Sequence, residues 1–260
     1  FEGLWEWSAL TAGATMEAGR LVVDQGHQTA FAISGGMHHA LAGRASGFCY
    51  INDIALLITN LLHRGLRVAY VDIDAHHGDG VQWAFFANPD VLTISFHQHP
   101  ATLFPGTGYL EEMGRDRGRG YAVNLPLWPD TDDEIYIESF DQLVPPLLEA
   151  YQPDYVVTQL GVDTFLEDPL ANLNLTTRGF GHCVRGLRDL CRGRWIALGG
   201  GGYQPLNVAR AWTLAARLAQ RHGIGELIAP LPSQGLGFVL RDVPDPALTE
   251  QLDDETLSRL

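Results

Sequence analysis

The chain has 260 residues, 46% of them hydrophobic and 18% charged, with a formal net charge of −14 at pH 7. This length and composition predict one α/β domain with a sizeable core, and the acidic balance offers no basic stripe for nucleic acid and favours cationic substrates. No apolar stretch is long enough for a membrane helix, and three cysteines without a Cys-x-x-Cys pair are typical of a reducing, cytoplasmic setting rather than a disulfide framework.

Apolar periodicity alternates along the chain between helix-like and strand-like segments. In chain order, it predicts a helix at about residues 8–24, a strand at 29–33, a helix at 50–64, strands at 67–73 and 91–96, a helix at 132–151, a strand at 155–160, a helix at 177–192, a strand at 195–198 and a helix at 205–221. Pro145 and Pro146 should kink or end the helix at 132–151, unless they open a new one. The alternation predicts a three-layer α/β/α fold with a central parallel sheet. The acidic, proline-interrupted end of the chain predicts a loosely docked extension, residues 223–260, after one domain of residues 1–222.

The richest polar cluster follows the predicted strand 67–73, where Asp72, Asp74, His76 and His77 stand within six residues. The carboxyl end of a buried parallel strand is a crevice position, and charges there are costly to desolvate unless they are paired or bind a cation. Asp74 and His76 lie two residues apart, so in an extended segment both side chains can reach one ion. The alternative is an Asp-His hydrogen-bond network that only orders a loop.

Three other predicted strands also end in polar residues. The paired histidines His38 and His39 follow the first strand, Asp163 follows the strand 155–160, and Tyr203 follows four glycines at 199–202. Taken alone, the histidine pair is typical of a hydrogen-bonded loop, and Asp163 of a helix or turn cap. The glycines lack the spacing of a phosphate-binding loop, but they allow a close backbone approach that presents the phenol of Tyr203 to a developing oxyanion.

Together these segments resemble the histone deacetylase superfamily, of arginase/deacetylase fold, and within it the bacterial acetoin-utilisation type of class I-like deacetylase. The resemblance runs from about Trp5 to Leu218. It rests on GGMHHA at 35–40, ASGFCYIND at 45–53, DIDAHHGDG at 72–80, FPGTG at 104–108, LGVD at 160–163 and LGGGGY at 198–203. It implies that residues 1–222 are a deacetylase catalytic domain that lacks the family's N-terminal portion, and with it part of the channel rim.

The resemblance also implies two metal sites. Asp74, His76 and Asp163 match the ligands of a catalytic Zn²⁺, in whose place Fe²⁺ can stand, with one coordination position open for water and substrate. A structural K⁺ is expected behind the zinc. Its matching positions, several of them through backbone oxygens, are Asp72, Asp74, His76, Ser95 and Phe96.

For catalysis, the resemblance implies that His39 is the general base and later the acid, with His38 as its electrostatic partner. Asp72 and Asp79 match the carboxylates that orient the two imidazoles, and Tyr203 matches the phenol that polarises the substrate carbonyl. The walls of a narrow acyl-lysine channel match Gly47, Phe48 and Phe104. Two positions depart from the family pattern, Met37 in place of Trp and Val162 in place of Ala, and neither removes a reacting group.

The activity implied is zinc-dependent removal of acetyl groups from acetyl-lysine side chains of proteins, or alternatively from acetylpolyamines and other small acetylated amines. A binuclear manganese ureohydrolase of the arginase kind would need more carboxylate ligands and would not need Tyr203. An acyl-lysine binding module without catalysis would not need Tyr203 or His39. The sequence leaves the oligomeric state and the physiological substrate open.

Overall fold

The structure is a computed structural model that describes residues 2–219 and the strand at 227–228. Its strands are β1 (Thr29–Ala32), β2 (Val68–Asp72), β3 (Val91–Gln98), β4 (Ala122–Leu127), β5 (Tyr155–Gln159), β6 (Trp195–Leu198) and β7 (Leu227–Ile228). Its helices are α1 (Leu4–Val23), α2 (Asp53–His63), α3 (Asp79–Phe85), α4 (Asp133–Tyr151), α5 (Thr177–Cys191) and α6 (Pro205–Ala219), with a 3-10 turn at Asp116–Gly118.

The strands form one sheet in the order β4-β3-β2-β5-β6-β1-β7, and every neighbouring pair is parallel. Two parallel strands are joined by a crossover that passes over one face of the sheet, so the helices in these crossovers cover the sheet. The predicted α/β/α fold with a central parallel sheet is confirmed. All strands end at the same edge, so the polar segments that follow β1, β2, β5 and β6 lie next to one another.

Two apolar cores lie on the two faces of the sheet. Along β2, Ala69 and Val71 pack into the core shared with α4, α5 and α6, whereas Val68 and Tyr70 pack into the core shared with α1 and α2. This alternation is the two-residue period of a strand, and both faces are apolar because both are covered. The polar segments at the edge therefore follow a sheet that is packed on both faces.

The helix α4 neither ends nor restarts at Pro145 and Pro146, so these two sequence-based alternatives were wrong. Both prolines lie on its half-buried or exposed side, where water can replace the lost backbone hydrogen bonds. The strand β4 was not predicted. Its Pro126 is atypical of a central strand, but β4 is the edge strand of the sheet, where one ladder face is unpaired and proline is tolerated.

The predicted C-terminal extension, 223–260, lies outside the described residues except for β7, which pairs with Phe31 and Ala32 of β1. The described part of the predicted last helix ends at Ala219. Among the described helices, none is long and apolar enough to cross a lipid bilayer.

Candidate active site and metal centre

The polar strand ends converge because their strands are neighbours in register. Asp72, at the end of β2, pairs with Gln159 at the end of β5, and Gln159 pairs with Leu198 at the end of β6. The segments that carry Asp74 and Asp163 therefore leave the sheet side by side.

Asp74, His76 and Asp163 form a buried cluster in which one ligand atom from each lies within 4.8 Å of the others. His76 Nδ1 is 3.2 Å from Asp74 Oδ1 and 2.9 Å from Asp163 Oδ2. The backbone N–H of Ala75 donates to the other oxygen of Asp163 at 2.8 Å. The structure thus brings together all three residues of the predicted ligand set.

Electrostatics in this cluster favour a bound cation. Burial and the charge of Asp74 raise the pKa of Asp163, since two desolvated carboxylates repel each other. Burial alone would lower the pKa of His76, but Asp163 and Asp74 outweigh it and raise this pKa to about 10. The two carboxylates therefore favour a positive charge at this point. A divalent cation would take that position, and two carboxylates with one imidazole are a ligand set that suits zinc.

Gln159 holds the cluster through Asp74, and this role was not predicted from the sequence. Its side-chain amide donates to Asp74 Oδ2 at 2.6 Å and accepts the backbone N–H of Gly161 at 2.7 Å. The backbone N–H of Gly201 donates to the same Asp74 oxygen at 2.8 Å. A glutamine at the end of a predicted buried strand is the sequence signal that could have indicated it, because a buried amide needs hydrogen-bond partners.

The two predicted catalytic histidines face each other, with their Nε2 atoms 3.0 Å apart. His38 Nδ1 lies 2.8 Å from Asp72 Oδ2, and His39 Nδ1 lies 2.7 Å from Asp79 Oδ1. The hydroxyl of Tyr70, also missed in the sequence, donates to the same Asp72 oxygen at 2.7 Å. Each imidazole is thus oriented by its own carboxylate.

The two imidazoles carry different charges. Burial would lower the pKa of His38, but Asp72 and Asp74 outweigh it and raise the pKa to about 9. Burial and the charge of His38 lower the pKa of His39 to about 4, despite its bond to Asp79. These opposite shifts favour the charged form of His38 and the neutral form of His39 near pH 7.

The predicted channel residues also reach the site. Gly47 and Phe48 have φ values of 50° and 64°, as in a tight hairpin turn, and a Cβ atom on Gly47 would collide with the His39 ring. The Phe48 ring lies 5.9 Å from the Tyr203 ring, and the Phe104 ring lies 5.0 Å from the His39 ring. Aromatic rings therefore stand over both sides of the site.

A cavity of about 230 Å³ opens among these groups. Its lining includes His38, His39, Asp74, His76 and Tyr203, together with Trp7, Met37 and Cys49. Trp7 belongs to α1 and was not predicted, because nothing in a helix-period segment marks one residue as part of a distant cavity. Met37 lies in the cavity wall, at the position where the sequence departs from the family pattern.

Tyr203 is carried by the glycine segment after β6. A Cβ atom on Gly201 would collide with Asp163 and Asp74, so only glycine lets the chain pass this close to the cluster. The backbone N–H of Tyr203 donates to Asp168 Oδ2 at 2.8 Å. Burial and the two cluster carboxylates raise the pKa of Tyr203, so its phenol keeps its proton and can donate a hydrogen bond.

The remaining predicted positions are those of the potassium site. Ser95 pairs with Asp72 across β2 and β3, and Ser95 and Phe96 are both buried. The Ser95 hydroxyl is hydrogen-bonded to His97 Nδ1 at 2.9 Å. The predicted positions are thus neighbours, and the potassium ion itself stays a prediction.

The family model that matches this chain, and the two curated relatives named below, are those of histone deacetylases. A family model described as "Histone deacetylase domain" matches residues 1–219. The chain is 42% identical to histone deacetylase B of Dictyostelium discoideum over 82% of this chain and 50% of that protein, and 42% identical to histone deacetylase 6 of Arabidopsis thaliana over 84% and 46%. The chain therefore spans about half the length of the curated relatives it matches.

Solved structures agree with these matches. A crystal structure of an HDAC homologue from Aquifex aeolicus superposes with a TM-score of 0.78 at 40% sequence identity, covering 85% of this chain and 59% of that one. A crystal structure of an HDAC homologue complexed with SAHA matches with the same values.

Proposed function

The chain belongs to the histone deacetylase family, and from that premise we propose that it is a zinc-dependent hydrolase that removes acetyl groups from lysine side chains of proteins. One observation carries the proposal. His39, which is bonded to Asp79, lines one cavity together with Tyr203 and two members of the Asp74/His76/Asp163 cluster. This combination supplies a base, a hydrogen-bond donor and a Lewis-acid site around one substrate carbonyl.

The metal would be held by Asp74, His76 and Asp163, as Zn²⁺ or as Fe²⁺ in its place. When bound, the ion supplies a Lewis acid that polarises the amide carbonyl and lowers the pKa of water. The cluster of three is the one such group in the described part of the chain, which favours one catalytic ion over the two of a manganese ureohydrolase.

His39 is the residue placed to move protons. Its Nε2 accepts a proton from the attacking water, while Asp79 accepts the bond from Nδ1–H and stabilises the imidazolium that forms. His39 then returns this proton to the lysine nitrogen as the carbon–nitrogen bond breaks, so that acetate and amine leave. His38 stays charged, held by Asp72, and acts through its electrostatic effect on His39.

Tyr203 acts on charge that appears only during the reaction. Its phenol donates a hydrogen bond to the carbonyl oxygen, and the bond strengthens as that oxygen becomes negative. Asp168 fixes the backbone of Tyr203, and the neighbouring Phe48 ring limits access of water. Phe48 and Phe104 form an aromatic entrance that suits an extended acetylated aliphatic amine.

We propose acetylated protein lysine as the substrate, because a net charge of −14 favours the basic peptides in which such lysines occur. Small acetylated amines such as acetylpolyamines are the second candidate, since the cavity itself selects only the acetylated chain. The structural K⁺ at Asp72, Asp74, His76, Ser95 and Phe96, the cytoplasmic setting and the acetoin-utilisation type belong to the same proposal.

Acetate release from a panel of acetyl-lysine peptides and acetylpolyamines tests the proposal, with Tyr203→Phe as the matched inactive control. Faster turnover of the peptides supports a protein deacetylase, and faster turnover of the polyamines supports the second candidate. A metal-bound chain that releases acetate from neither would be a binding module or another hydrolase.

A further inference from the structure

The N-terminal end of helix α2 contacts the backbone turn that carries the histidine pair. Asp53 accepts the backbone N–H groups of Gly36 at 2.9 Å and Met37 at 2.8 Å, one on each carboxylate oxygen. The side-chain amide of Asn52 donates to the carbonyl of Ala40 at 2.9 Å and, more weakly, to that of His38 at 3.4 Å. Two consecutive side chains therefore hold the turn before and after its histidines.

Asp53 is fully buried, and its bonds offset the cost of that burial. Besides the two backbone donors, the hydroxyl of Thr15 in α1 donates to Asp53 at 2.5 Å. The carboxylate also lies in the first turn of α2, where the helix dipole favours a negative charge. The contact is thus built from two helices, and the side chains of Thr15, Asn52 and Asp53 do not line the substrate cavity.

The turn has little room to move in any other direction. Gly36 has a φ of 102°, and a Cβ atom there would collide with the backbone of Gly199. On the other side, a Cβ atom on Gly80 would collide with the carbonyl oxygens of Ala40 and His38. The position of the histidine rings is therefore set by the hydrogen bonds from α2 within a tightly packed frame.

We propose that Asn52 and Asp53 are positioning residues that fix the Nε2 atoms of His38 and His39 for catalysis. For its effect on rate, this inference rests on the proposed function. The two polar atoms of the Asn52 side chain have different partners, so its positioning role can be tested separately from its structural role in α2. Its Oδ1 accepts the N–H of Ala55 and caps α2, whereas its Nδ2 serves the turn.

Asn52→Asp separates helix capping from positioning. It keeps the oxygen that caps α2, but it replaces the Nδ2 donor by a second oxygen that faces the carbonyls of His38 and Ala40. At pH 8 we expect kcat to fall by roughly 10- to 100-fold, because a small misplacement of a catalytic group is costly, with KM within about twofold and one metal per chain. The matched control is Asn60→Asp, which makes the same change on the exposed side of the same helix and should leave kcat unchanged.

Asp53→Asn is the second variant, and it turns one acceptor of the turn into a donor that faces other donors. We expect the same pattern, a lower kcat at unchanged KM and metal content. If Asp53→Asn does not fold, Asn52→Asp still decides the question, since its helix cap is intact. A wild-type kcat in folded Asn52→Asp would overturn the proposal.

A readout without substrate keeps this test separate from the proposed function. In the full chain labelled with ¹⁵N-histidine, the Nδ1–H protons of His38 and His39 should give low-field signals because both are bonded to carboxylates. The signals should shift or disappear in Asn52→Asp and stay in place in Asn60→Asp. Absence of acetate release by the wild-type chain would refute the proposed function alone, whereas unchanged histidine signals in Asn52→Asp would refute the positioning role.

Discussion

His38 Nε2 and His39 Nε2 lie 3.0 Å apart, although the two rings are bonded to different carboxylates on their other nitrogens. Asp72 and Asp74 stabilise the charged form of His38 and raise its pKa, whereas burial and the charge of His38 lower the pKa of His39. His39 is left as the acceptor. The adjacent histidines therefore have unequal roles.

Replacing each histidine in turn tests this inequality. We expect His39→Ala to lower kcat/KM more than His38→Ala, because His39 transfers the proton and His38 acts through its charge. General acid–base catalysis typically contributes about 10²- to 10⁴-fold, and the His39 variant should lose within this range. Metal analysis of both variants is the control. Loss of the metal in either variant would show that the ligand set is wrong, and a larger fall in kcat/KM for His38→Ala would reverse the roles.

Tyr203→Phe should keep the metal and lose most of the rate. The phenol is needed only as charge develops on the carbonyl oxygen, so kcat should fall on the order of 10²- to 10³-fold while KM changes little. Steady-state kinetics with an acetyl-lysine peptide measures both values. An unchanged kcat would mean that Tyr203 only packs against Phe48.

Asp163→Ala should abolish metal binding and acetate release together, because the remaining Asp74 and His76 offer too few ligands. Glu167→Gln is the matched control, since it removes an exposed carboxylate from the same segment. Elemental analysis of the purified variants gives the metal content. Full occupancy in Asp163→Ala would show that the ligand set is wrong.

The stability of the fold should depend on pH through His97. This residue is fully buried between Ser95 and the carbonyl of Gly108, and burial together with His77 lowers its pKa from 6.5 to about 3. The unfolded chain therefore binds more protons between these pH values. The stabilisation is complete above about pH 6.5 and is lost progressively down to about pH 3, by about 1.4 kcal/mol per pH unit.

His97→Gln isolates this contribution, because Gln stays neutral and can still donate to Gly108. Urea unfolding at pH 7 and pH 5 should show a smaller loss of stability on acidification in the variant than in the wild-type chain. Equal losses would mean that His97 does not carry this proton linkage.

The convergence of the site could be predicted because it follows from a rule of parallel sheets. Asp74, His76 and Asp163 all follow buried strands, and the carboxyl ends of neighbouring strands meet at one edge. The supporting residues follow no such rule. Gln159 contacts a residue 85 positions away, and Asn52 serves a turn on another element, so only the folded chain brings these groups together.

The fold shows the same division. Strong alternation predicted five strands and five helices, whereas β4 was missed because Pro126 counts against a strand until its edge position is known. The helix α4 continues through Pro145 because tertiary packing of its apolar side outweighs the lost hydrogen bonds. Local patterns thus predict most helices and strands. Whether a strand or helix tolerates a proline depends on its position in the sheet and core.

A metal titration of the full chain is the most direct test of a single catalytic ion held by Asp74, His76 and Asp163. After chelation, Zn²⁺ is added back in steps, and bound metal and acetate release from an acetyl-lysine peptide are measured on the same samples. We expect that activity is absent without metal, rises in proportion to bound zinc and reaches its maximum at one ion per chain. Acetate release that persists without metal, or that requires two ions per chain, would contradict this expectation.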